Sequence, residues 1–136
     1  DAGADIITIH YESEKHLDRT IEYIKAKGKK AAVALNPATP VHLLKNIIAN
    51  LDMVLIMTVN PGFAGQKYLS LVDEKIDELV EFRDKYNFKI LIDGACSPEK
   101  IKILSLKGVQ GFVLGTSALF NKNKKYKEII PRLRNL

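Results

Sequence analysis

Short apolar runs alternate along the chain with longer segments whose apolar residues recur at helical spacing. The runs at residues 6–10, 31–35, 53–58, 89–93 and 111–115 are rich in Ile, Val and Leu, as strands covered on both faces are. Helical periodicity marks roughly 14–27, 41–50, 69–86, 98–107 and 124–134. A helix after each strand predicts an α/β fold of repeated βα units around a parallel sheet.

Local start and stop signals agree with that reading. Thr39-Pro40 and Ser97-Pro98 place a capping hydroxyl before a proline at the first helical position, where the missing N–H costs nothing. Gly28 and Gly108 suit helix ends. Residues 59–68 form the one long patternless connection, with Pro61, Gly62 and Gly65 in it, and long ordered loops tend to carry function. Five βα units are too few to close an eight-stranded barrel, and Asp1 to Asp5 read as a helix end and a turn. The expectation is therefore a single incomplete barrel domain over residues 1–136, lacking its first strands.

Composition narrows the classes. With 46% hydrophobic residues in 136, the chain has the apolar content of one globular domain. It holds no apolar run of the length a membrane span requires and no amino-terminal signal pattern, so a cytoplasmic protein without membrane contact is expected. A lone cysteine, Cys96, forms no intrachain disulfide and no thiolate metal cluster, and reads as a small packing residue. The net charge of +5 lies wholly in residues 122–136, where Lys122, Lys124, Lys125, Lys127, Arg132 and Arg134 face only Glu128. Without interleaved aromatics this is a solvated helix face, and no nucleic-acid partner is expected.

Function in parallel α/β proteins gathers where strands end. His10 ends the first run, where an imidazole can bind a cation, exchange a proton, or simply be a hydrogen-bonded core residue. Asp93 ends the fourth run, before Gly94, and suits a metal ligand, a proton shuttle or a helix cap. Three loops offer backbone N–H groups to an anion: Asn60 to Gln66, Gly94-Ala95, and Gly115-Thr116-Ser117, the last opening a candidate short helix at 116–120. Together they match the phosphate site common in barrels. Met57 points toward the barrel mouth, though a strand methionine is more often core; His16 and His42 fall in solvated helical stretches.

The motifs Ile7-Thr8-Ile9-His10, Leu35-Asn36-Pro37-Ala38-Thr39-Pro40, Met57-Thr58-Val59-Asn60-Pro61-Gly62-Phe63-Ala64-Gly65-Gln66, Ile92-Asp93-Gly94 and Gly115-Thr116-Ser117 stand in one order along the chain. In that order and spacing the sequence resembles the ribulose-phosphate 3-epimerase family from end to end. The resemblance implies the last five units of a (β/α)8 TIM barrel acting on a small phosphorylated ketose, a homo-oligomer at full length, within carbohydrate metabolism and the pentose phosphate pathway. It implies a divalent cation, Zn2+, Fe2+, Mn2+ or Co2+, with His10 and Asp93 as two of four ligands and Asp93 as one of two proton-transferring acids. It also implies substrate contacts from His10, Met57, Gly62, Phe63, Ala64, Gly65, Asp93, Gly94, Ala95, Gly115, Thr116 and Ser117. The other ligands and acid would lie on upstream strands, so the chain alone is expected to be inactive and poorly folded.

Two departures leave the sugar open. Gly94-Ala95-Cys96 replaces the family's usual Gly-Gly, and the last strand runs on as Gly115-Thr116-Ser117-Ala118-Leu119-Phe120-Asn121. Both look like the allulose-6-phosphate 3-epimerase branch, so a ketohexose 6-phosphate stands beside the family's commoner ketopentose 5-phosphate. A hexulose-phosphate decarboxylase or aldolase would share the glycine loops but not a histidine at the first strand end. A noncatalytic half-barrel that binds phosphosugar or pairs with another chain is the alternative from another class.

Overall fold

A computed structural model describes residues 2–136; Asp1 lies outside the described residues. Five strands, β1 (Ile6–His10), β2 (Lys30–Leu35), β3 (Met53–Met57), β4 (Lys89–Asp93) and β5 (Gly111–Val113), form one sheet in sequence order. Every neighbouring pair is parallel. The helices are α1 (Leu17–Ala26), α2 (Asp73–Arg83), α3 (Pro98–Lys107) and α4 (Tyr126–Arg134). This is a partial (β/α) barrel.

Register sorts the strand residues onto two faces. Val33, Leu35, Val54, Ile56, Ile90 and Ile92 point to the helices, where they join Ile21, Leu44, Ile76, Leu79 and Leu104 in one continuous core. The opposite, inward face carries Ala32, Ala34, Met53 and Met57, which are buried, and Leu55 and Leu91, which are half-buried. At its two edges Ile6 and Val113 stand exposed.

Several predicted boundaries move. Between β2 and β3 there is no α-helix but two 3-10 turns, Val41–Leu44 and Ile48–Asn50. Ile47 leaves the helical region at φ −121°, and the β-branched residues around it resist a regular helix. Thr39 does not cap this segment, because Pro40 occupies the cap position and the Thr39 hydroxyl donates to Glu12. Ser97 does cap α3, accepting from the Lys100 N–H at 3.3 Å, and Gly108 closes that helix at φ 106°. Residues 116–120 form a turn rather than a helix, with the N–H groups of Ala118, Leu119 and Phe120 all donating to the Gly115 carbonyl. Residues 2–4 are not helical either. No helix among the described residues is long and apolar enough to cross a membrane.

Candidate active site

Asp93 ends β4 beside Met57, its register partner at the end of β3. The pair is fixed through Thr58, a fully buried residue whose N–H donates to the Asp93 carbonyl at 2.8 Å. The Thr58 hydroxyl reaches the carbonyls of Asp93 and Gly94 as well. A side chain added at Gly94 would meet the Val59 side chain at 2.7 Å and the Val59 backbone nitrogen at 3.0 Å. With φ of 120°, this position accepts only glycine without a shift of β3.

The loop after β3 is preformed. Gln66 Nε2 donates to the carbonyls of Asn60 at 2.5 Å and Phe63 at 2.9 Å, stapling the glycine turn from within. Gly62 and Gly65 supply the positive φ angles, 138° and 84°, that the turn needs. Beyond the loop, the Tyr68 hydroxyl donates to Asp73 Oδ1 at 2.5 Å, and Lys100 Nζ sits 3.9 Å over the Tyr68 ring. These contacts tie the loop to the starts of α2 and α3.

All the predicted substrate residues except His10 line one cavity of about 400 Å³. Met57, Gly62, Phe63, Ala64, Gly65, Asp93, Gly94, Ala95, Gly115, Thr116 and Ser117 surround it. No lysine or arginine does, so an anion there would be held by backbone N–H groups and by the Thr116 and Ser117 hydroxyls. Ala95 adopts φ 47°, a left-handed conformation that glycine takes more easily. Burial raises the Asp93 carboxyl above the usual range, with the His10 charge pulling the other way. Cys96 is buried beneath, its thiol pushed up to about 11 by burial, which makes it a packing residue rather than a nucleophile.

His10 stands apart. It lines a neighbouring cleft with Thr8, Glu12, Ser13, Asn36 and Pro61, and only Pro61 borders both spaces. By register His10 is level with Leu91 and stands three strands from β4, close enough through the interior for its charge to act on Asp93. Ligands of one ion each need to lie about 2.0–2.2 Å from it. Among the described residues no three His, Cys, Asp or Glu side chains gather as a metal cage. Both His10 and Asp93 point by register to the inward face at the carboxyl end of the sheet, where the imidazole offers a nitrogen and the carboxylate an oxygen suited to a divalent cation. Sequence reading also passed over Glu12 and Lys75, which lie on a short turn and in a helix and bear on the rim only through tertiary contacts.

Comparison with known proteins decides the lineage. The profile of the ribulose-phosphate 3 epimerase family matches residues 1–120. This chain belongs to that family. Ribulose-phosphate 3-epimerase of Bacillus subtilis is 42% identical over 131 residues, covering 94% of this chain and 60% of that protein. The Escherichia coli K12 protein of the same name is 39% identical over 136 residues, with 98% and 60% coverage. The Rhodospirillum rubrum protein is 40% identical over 129 residues, with 95% and 56% coverage. The chain thus spans 60% or less of the length of these curated relatives, and the relatives are carbohydrate-phosphate epimerases by name.

Proposed function

We propose that these residues are the carboxyl-terminal five βα units of a barrel domain, and carry the phosphate-holding part and one proton-transferring acid of a 3-epimerase site for a ketose phosphate. One observation carries the reading: a half-buried carboxylate, Asp93, faces the same cavity as three N–H-bearing loops. The phosphate rests among the N–H groups of Gly62 to Gly65, Gly94-Ala95 and Thr116-Ser117, where no competing cation is needed. That anchorage presents the carbon chain to Asp93, which removes or returns the proton at C3. A carboxyl raised by burial is the better proton acceptor, because its pKa lies closer to working pH. Met57 lies alongside as an apolar wall that limits water at the reacting carbons.

Inversion needs a second acid on the opposite face, supplied by residues outside this chain. A divalent cation, when bound, would stabilise the charge that develops on the enediolate oxygens, with His10 and Asp93 as the residues of this chain that would hold it. Zn2+, Fe2+, Mn2+ and Co2+ all suit nitrogen and oxygen ligands.

The test is a coupled 3-epimerase assay with ribulose 5-phosphate and allulose 6-phosphate. It is run on the chain as given and on the chain joined to the amino-terminal part of the Bacillus subtilis relative, with and without added metal. Turnover is expected only in the joined protein, falling about 10²–10⁴-fold on Asp93→Asn. Preference for allulose 6-phosphate would assign the hexose branch suggested by Gly94-Ala95. A folded, metal-loaded joined protein that turns over neither sugar would discard the epimerase reading.

A further inference from the structure

Two segments at the carboxyl end of the sheet meet on one carboxylate, and a third braces them. Glu12 Oε1 accepts from the Asn36 N–H at 2.8 Å and from the Thr39 hydroxyl, while Oε2 lies 3.3 Å from His10 Nδ1. From α2, Lys75 Nζ closes the same turn by donating to the carbonyls of Asn36 at 2.8 Å and Pro37 at 3.0 Å. With Oε1 occupied by two donors, Oε2 is the carboxylate oxygen left to face the ring, and a carboxylate offers only acceptors. The ring nitrogen that faces it must carry the proton.

We propose that Glu12 is a positioning residue that fixes the His10 ring with Nδ1–H toward its carboxylate, leaving Nε2 to face a hydroxyl of a sugar bound across the rim. Pro61 joins the His10 cleft to the Asp93 cavity, so a polyol chain anchored by phosphate in one has a path into the other. The identity of the hydroxyl donor rests on the proposed function; the tautomer does not.

The experiment is nitrogen-15 NMR of histidine-labelled protein at a pH where the ring is neutral. His16 and His42, both exposed, serve as reference rings. His10 is expected to show protonated Nδ1 and bare Nε2, and Glu12→Gln, whose amide can donate as well as accept, is expected to release that preference. Thr39→Val removes another Glu12 partner without touching the imidazole and should leave the tautomer in place. An Nε2–H ring in the unaltered protein overturns the proposal with no variant needed, as does a tautomer indifferent to Glu12→Gln. Adding ribulose 5-phosphate should then move the His10 Nε2 signal together with the Gly94 and Gly115 amides. Movement of those amides without His10 overturns the hydroxyl contact while sparing the phosphate reading; no movement of any of them counts against the proposed function, with the tautomer still read.

Discussion

At the scale of single residues, strain and burial collect around Asp93. Ala95 holds a left-handed φ of 47°, a conformation that costs an L-residue roughly 1–2 kcal/mol. Ala95→Gly is therefore expected to raise stability by about 1 kcal/mol once glycine's extra unfolded-state freedom is subtracted, as read from a denaturant midpoint. Gly94→Ala should do the reverse, since its Cβ would collide with Val59 and its φ is 120°. A loss of about 1–3 kcal/mol is expected. Asp93 links stability to pH. Its folded-state pKa is raised above 3.8, so the folded state holds its proton more tightly, and this group costs stability as pH rises through and above that range. Asp93→Asn should consequently raise the melting temperature at pH 7, with the gain shrinking as pH falls toward 3.8 and absent below it, while the joined enzyme loses turnover. A melting temperature unchanged or lowered at pH 7 would mean that the carboxylate has native partners other than those described here.

Among the elements, α3 and α4 show how far local signals reach. Ser97 and Gly108 bracket α3 where a cap and a C-terminal glycine predict, and Ser97→Ala should cost about 1 kcal/mol in thermal unfolding. In α4 the polar face carries the basic residues in solvent while Ile129 and Leu133 pack inward, and Arg132 and Arg134 sit in the last turn, where the helix dipole favours cations. Pro131 interrupts that helix by removing one N–H donor. Pro131→Ala should therefore increase helical circular dichroism and stabilise the end of the chain; no gain would mean that the proline ring's packing outweighs the missing bond. Local signals were misleading at residues 41–50, where a hydroxyl before proline imitated a helix start. There the Thr39 side chain is taken by Glu12, which lies 27 residues away in sequence.

For the molecule as a whole, one sheet face is packed throughout and the other is open at its two edges. The helix-side face forms a continuous core, while Ile6 and Val113 remain exposed at the ends of the inward face. Ile6→Lys should change the stability of this chain by no more than about 0.5 kcal/mol, as surface substitutions do. In the chain joined to a relative's amino-terminal part it should cost several times as much, because an unpaired charge would then be buried. Denaturation of both proteins in parallel measures the difference. The fold class, the strand ends and the three glycine loops were legible in the sequence, because apolar periodicity and turn chemistry are local properties of a chain. Even the coincidence of Met57, Asp93 and the three glycine loops in one cavity follows from parallel strands that all end on the same side. What only the tertiary structure decided was lateral distance across the sheet. It sets His10 three strands from Asp93 and turns its ring to Glu12, and it brings Lys75 from a helix onto the Asn36 turn. Spacing along a chain fixes how high a residue stands on its strand, but which side chains meet depends on how strands curve and which loops fold over them, and that is set by packing.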